Sequence, residues 1–166
     1  STPVSTEIGD PSFPAANISS INVGGSEDTI MVSFSNYGVQ SIWLTTDGGN
    51  NWIDKSGNLP DMPVRWAILH PQNTGQAMLA TETGIWTTNM LLENNTQWYP
   101  DNSGLANVRI DMLSMRESDN EVVAATHGRG LFVTTFYVDY YTGKPELSNS
   151  KISIYPNPVK DNLFVE

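Results

Sequence analysis

Cysteine is absent from the 166 residues, and cations are scarce: eight Lys and Arg stand against eighteen Asp and Glu, for a formal charge of −10. Without thiols there are no disulfides, no thiolate metal ligands and no cysteine nucleophile. The acidic balance repels phosphate backbones and anionic headgroups, so no nucleic acid partner is expected. No apolar run approaches the ~18 residues that a membrane-spanning helix needs. The opening STPVSTEIGDP also lacks the basic and apolar parts of a secretory signal. No membrane insertion is expected, and the protein is either cytosolic or has lost an upstream signal. The two histidines have no ligand spacing, so neither a metal site nor a cofactor is implied. What the chain does have is 39% hydrophobic residues, enough for one sizeable core. Its polar residues are mostly Asn, Ser, Thr and Gly, a set that favours strands and turns.

Internal repetition is the strongest signal. Segments opening at Ile18, Val64 and Val108 align with offsets of 46 and 44 residues, pairing Val64-Arg65 with Val108-Arg109. Each continues to a second apolar run (Thr29 to Phe34, Ala77 to Thr81, Glu121 to Thr126). A third run then opens on an aliphatic-aromatic pair: Ile42-Trp43, Ile85-Trp86 and Leu131-Phe132. Two copies go on to Trp52 and Trp98, followed by SGNLP and SGL, and Phe13-Pro14 precedes Ile18 as Leu59-Pro60 precedes Val64. Short runs bounded by Gly, Asn, Asp and Pro are strands, not helices. Four strands per repeat of this length fit a β-propeller blade. The expected fold is all-β: a partial β-propeller of about three four-stranded blades, short of the roughly four to eight that close a ring.

TTDGGNNW, Thr45 to Trp52, has the form Ser/Thr-x-Asp-x-Gly-x-x-Trp and resembles the Asp-box of bacterial neuraminidase repeats at Thr45, Asp47, Gly49 and Trp52. The expected structure is a hairpin between the third and fourth strands. Asp47 accepts backbone N–H groups of the turn, the glycines take positive φ, and Trp52 folds beneath as an apolar plug. Such a clip is scaffold. The second copy, TTNMLLENNTQW, has Asn89 in the Asp place, no following Gly and a later Trp98, which predicts a longer hairpin. The third copy has no such motif, which predicts a last blade of three strands. With ATHGRGLFVTT (Ala125 to Thr135), the repeats are similar to the closing blades of secreted Asp-box propellers of the sortilin and xyloglucanase type.

A second resemblance lies at the other end. In KISIYPNPVKDNLFVE, Tyr155-Pro156-Asn157-Pro158 and the following VKDNL resemble the opening of the type A C-terminal sorting domain of type IX secretion, an Ig-like β-sandwich. The implied organisation is propeller blades over 1–141, a linker over 142–149 and the start of the sorting domain over 150–166. The resemblance implies export in a Gram-negative Bacteroidota bacterium, to the medium or the outer-membrane surface. The implied partners are the secretion machinery: translocon, shuttle and sortase.

Blade topology brings Arg65, Trp66, Glu82, Arg109, Asp111, His127, Arg129 and the exposed-loop Tyr37 to one face, opposite the Asp-box turn. Arginines there suit a carboxylate or sulfate of a glycan, although repeat-spaced arginines more often tie blades together. Thr29, in Asp28-Thr29-Ile30, resembles a Bacteroidota O-glycosylation acceptor. The catalytic residues are unknown, and the two Arg fall short of a sialidase triad. The function expected is a glycan- or protein-binding adhesion module exported as type IX cargo. The alternatives are a glycoside hydrolase of xyloglucanase or sialidase type with its acids in upstream blades, or a purely structural surface propeller.

Overall fold

Short runs rich in Ile, Val, Thr and aromatics become strands wherever Gly, Asn or Pro closes them off, and the strands gather into three antiparallel sheets. The computed structural model describes residues 4–105 and 107–136, together with the backbone pairing of 154–155 with 164–165. Sheet 1 is the meander β1 (Ile18–Val23), β2 (Ile30–Phe34), β3 (Ile42–Thr45) and β4 (Ile53–Asp54). Sheet 2 repeats it with β5 (Val64–His70), β6 (Asn73–Thr81), β7 (Gly84–Thr88) and β8 (Tyr99–Pro100). Sheet 3 has three strands, β9 (Ile110–Arg116), β10 (Glu121–Thr126) and β11 (Gly130–Thr135), with β11 at its edge. The fold is all-β, and no helix occurs among the described residues.

The sheets stack through their first strands, with β5 packed between β1 and β9. Strand alternation sends successive residues to opposite faces, so a middle strand such as β2 is buried on both. Met31, Ile42 and Leu44 face sheet 2, where they cluster with Ala77, Leu79, Leu91 and Trp98. Met78, Ala80 and Ile85 meet Ile110, Leu113, Val122 and Ala124 of sheet 3. Val32, Phe34, Trp43 and Trp52, on the far face of sheet 1, are covered by Phe13 and Ala16. Burying each such side chain contributes about 1.5–3 kcal/mol. Phe13, Leu59 and Leu105, each 46 residues from the next, play the same wedging part in the three clusters. At the seam between first strands, polar side chains of β1 satisfy the backbone of β5. Ser19 Oγ donates to the Val64 carbonyl (2.6 Å), Ala67 N–H donates to Ser20 Oγ (3.0 Å) and Leu69 N–H to Asn22 Oδ1 (2.9 Å).

The register corrects the repeat alignment. Pairing slips at one point near the start of every first strand: Ile18/Ser20 in β1, Val64/Trp66 in β5, and the step from Ile110 to Met112 in β9. The N–H groups of Ser35 and His127 reach back in the same way to the carbonyls of Asn17 and Arg109 (3.0 and 2.8 Å). Ile110, not Val108, is therefore the counterpart of Val64, the period is 46 residues throughout, and Arg109 is not the equivalent of Arg65. That place belongs to Asp111. The Val-Arg pairs share letters and not register.

The expected three-strand last unit agrees with sheet 3. Of the C-terminal segment, β12 (Ile154–Tyr155) pairs antiparallel with β13 (Phe164–Val165). Pro156, Asn157, Pro158 and the linker 142–149 lie outside the described residues.

Candidate functional site

At one end of the stack, each register slip juts a residue out of the first strand, and the segment after the second strand lies opposite it. In sheet 1 these positions hold Ser19 and Ser35, in sheet 2 Arg65 and Glu82, and in sheet 3 Asp111 and His127. Arg65 donates to Glu82 Oε1 through both Nε and a terminal nitrogen. His127 Nδ1 lies 3.4 Å from Asp111 Oδ2. The two pairs occupy equivalent places, with the acid after the second strand in sheet 2 and on the first strand in sheet 3.

Arg109, at the lead-in to β9, links them. Its Nε donates to Asp111 Oδ1 (2.6 Å), and its charge is felt by Glu82 as well. The hydrogen bond from Arg109 holds the Asp111 carboxyl below the usual range, and its partial desolvation does not reverse this. The same bond holds the Arg109 guanidinium above its ordinary value. The result is a ladder of alternating charge, Arg65, Glu82, Arg109 and Asp111, that ends at the imidazole of His127, with side chains a quarter to two-thirds exposed. Exposed pairs of this kind are each worth up to about 1 kcal/mol.

Of the other sequence candidates, Trp66 is half-buried against the cluster between sheets 2 and 3. Arg129 is exposed at the β10–β11 turn and makes no hydrogen bond or ion pair among the described residues. Tyr37 is 64% exposed on the β2–β3 loop. Thr29 is buried in the β1–β2 turn, where its N–H donates to Ser26 O and its carbonyl accepts from Gly24.

The ladder offers charge-assisted hydrogen bonds to a ligand. A general acid needs a carboxyl pushed upward, whereas Asp111 is pushed down and Glu82 is engaged by Arg65. The described residues include no group of three or more His, Asp or Glu that could hold a metal ion.

The β3–β4 hairpin, Thr45 to Trp52, lies at the opposite end. Thr45 Oγ1 donates to Asp47 Oδ1 (2.8 Å) and accepts from Gly49 N–H (3.0 Å), while Asp47 accepts Asn51 N–H (2.9 Å) and Asn51 Nδ2 (2.6 Å). These bonds, the one from Asn51's side chain foremost, lower the Asp47 carboxyl to about 2. Gly48 and Gly49 sit at φ 70° and 90°, the left-handed region that the turn demands. Trp52 is buried, and its indole N–H donates to Ile8 O (2.8 Å).

Two buried groups lie apart from these sites; the sequence reading puts His70 in the turn after the first strand, and the structure makes it the last residue of β5. His70 is fully buried at the end of β5: Gln72 N–H donates to its Nδ1, so Nε2 carries the proton and donates to Phe136 O (3.1 Å). Burial pushes its pKa down. Lys55 is 6% exposed and donates from Nζ to Glu93 O (2.7 Å), with its pKa lowered by desolvation. Neither has a signal in the sequence, since each depends on which loop lies over it. No model of a known protein family matches the chain, and the curated proteins include no match to it.

Proposed function

We propose that the chain forms three blades of a β-propeller in a surface or secreted protein of a Bacteroidota bacterium, exported by type IX secretion, and that it binds an acidic glycan or surface protein through the charged ladder. The observation that carries this reading is the repeated stacking of like meanders through their first strands, with an Asp-box turn at one end and the ladder at the other. Arg109 spends Nε on Asp111 and has two further nitrogens for a ligand carboxylate or sulfate. Arg129, on the β10–β11 turn, adds a cation with no partner among the described residues. The YPNP segment and the β12–β13 pair support the start of an Ig-like sorting domain, with the secretion machinery as partner.

Two measurements test the reading. The natural protein is expected outside the cell and lost from there in cells without the translocon; retention in the cytosol of wild-type cells overturns the export reading. An array of sulfated and uronic-acid glycans is expected to retain the chain, and Arg109→Ala with Arg129→Ala to abolish retention. Unchanged retention by the double variant removes the ladder from the site. A second reading, a purely structural propeller, is favoured by the mutual neutralisation of Arg65 with Glu82 and Arg109 with Asp111, and it predicts no retained glycan or surface protein.

A further inference from the structure

The connections between second and third strands differ in length, and the longest one opens a polar cleft. Ten residues lie between the paired Val32 and Trp43 in sheet 1, six between Leu79 and Trp86 in sheet 2 and seven between Ala124 and Phe132 in sheet 3. The longer loop of sheet 1 turns at Gly38, which takes φ 71° and donates its N–H to Asp61 Oδ1. Between this loop and the segment that follows β4 is a cleft of about 290 Å³. Gly38, Gln40 and Ser41 wall it on one side, and Ser56, Leu59 and Asp61 on the other.

Sheet 2 shows how the same place is filled. Ser56 and Asn102 are counterparts, each accepting the N–H of the residue before the third-strand Trp: Ile42 to Ser56 Oγ (3.1 Å) and Ile85 to Asn102 Oδ1 (2.9 Å). Asp61 and Asn107 are counterparts in turn, 46 residues apart. The amide of Asn102 spans the gap, donating to Thr83 O (3.1 Å) and to Asn107 Oδ1 (3.0 Å). Ser56 is shorter and spans nothing. It is 6% exposed, and its hydroxyl proton meets no acceptor among the described residues. A buried donor without a partner is costly, so whatever fills the cleft accepts from it.

The other free groups are mixed in kind. Asp61 keeps Oδ2 as an acceptor. The Gln40 side chain, exposed and without a hydrogen bond among the described residues, offers both donors and an acceptor. Among the described residues no cation lines the cleft, which disfavours an anion, and one carboxylate already engaged by Gly38 is a poor match for a cation. The mixture suits hydroxyl groups, each of which donates and accepts. Tyr37, next to Gly38 on the loop and 64% exposed, offers an aromatic face to the C–H side of a sugar ring. The volume suits a single ring, at the lower limit of the roughly 300–1,000 Å³ typical of ligand pockets.

We propose that this cleft binds one neutral pyranose unit. Ser56 donates to one ring hydroxyl, Asp61 Oδ2 and the Gln40 amide hold the neighbouring hydroxyls, and Tyr37 stacks on the ring. The site does not rest on the charged ladder, since a neutral sugar carries no acid group for Arg109 to hold.

The probes are the methyl glycosides of glucose, galactose, mannose and N-acetylglucosamine, titrated separately into the isotope-labelled 166-residue protein. At least one is expected to give saturable, one-to-one shifts of the amide signals of Gly38, Ser41 and Leu59. Ser56→Asn, which gives the place the side chain that fills it in sheet 2, is expected to weaken binding at least about tenfold. Gln40→Ala, at an exposed residue, is expected to weaken it several-fold without touching the core. Failure of all four glycosides to give saturable shifts, shifts confined to other amides, or equal binding by the parent and both variants overturns the proposal. Failure of acidic-glycan retention leaves it standing, because the two sites take different ligands.

Discussion

The hairpins of sheets 1 and 2 bring a tryptophan to the same place by different means. In sheet 1 a short turn is held by charge and hydrogen bonds: Asp47 gathers the backbone and side chain of Asn51 and the hydroxyl of Thr45, and two glycines take left-handed φ. In sheet 2 the connection is longer and has no acid in that place. Its Leu91 is fully buried and donates its N–H to Gly75 O (3.0 Å), while Trp98 exchanges two hydrogen bonds with Asn58 (2.6 and 3.0 Å). A turn held by an aspartate is therefore one solution to placing an indole, and apolar anchoring is another. What the repeat preserves is the indole and the carbonyl that receives it.

Removing the indoles breaks the comparison most severely. Trp98→Ala is expected to cost about 3–5 kcal/mol in urea unfolding. Trp52→Ala is expected to cost less, because Trp52 lies on the outer face of sheet 1 under Phe13 alone of the aromatic rings beyond its own sheet. Equal losses would show that the two plugs carry the same load.

The next effect separates two glycines of the Ser-Gly segments. Gly57 has φ 52°, and an added Cβ would meet Thr96 O at 2.1 Å, so Gly57→Ala is expected to cost well over about 1 kcal/mol. Gly104 has φ 77° with open space around it, so Gly104→Ala is expected to cost about 1 kcal/mol, from the backbone alone.

Smaller still is the loss of the acid. Asp47→Ala is expected to lower Tm by a few degrees and Asn89→Ala to leave it unchanged, as read by thermal denaturation. The folded carboxyl of Asp47 lies near 2 and the unfolded one near the ordinary value of 3.8. Its contribution is therefore full above pH 4 and is lost as pH falls toward 2, and Asp47→Asn should flatten that acid limb. His70 acts in a higher window. Its folded pKa is depressed below 6.5, so the unfolded chain takes up the proton first and stability falls as pH drops below about 6.5. His70→Gln, able to donate to Phe136 O, should remove that slope at the expense of some packing.

Much of this was legible. The aliphatic-aromatic openings of β3, β7 and β11, the tight Thr45–Trp52 turn and the three strands that sheet 3 has among the described residues follow from alternation and turn chemistry. The third copy's register did not, because Val108-Arg109 imitates Val64-Arg65 in letters while the bulge that fixes the register leaves no mark on residue type. The exchanged pairs, Arg65 with Glu82 and Asp111 with His127, were hidden for the same reason. A place can be kept while the residue type on it changes, Arg65 to Asp111 and Glu82 to His127, and only backbone pairing reveals the equivalence. Lys55 and Gly57 belong to contacts between neighbouring repeats, which a reading along one repeat does not reach.

The stack ends in two unlike apolar surfaces. Ile21 and Val23 are 63% and 57% exposed on sheet 1, and Met112, Leu131 and Val133 are 46%, 72% and 63% exposed on sheet 3. A body with different ends has a direction, and contacts between unlike ends are heterologous: they close into rings or run on as filaments, but do not form two-fold pairs. The formal charge of −10 keeps such bodies apart in solution near neutral pH. Near the isoelectric point, about 4.4, that repulsion vanishes, and end-to-end contacts meet their smallest barrier.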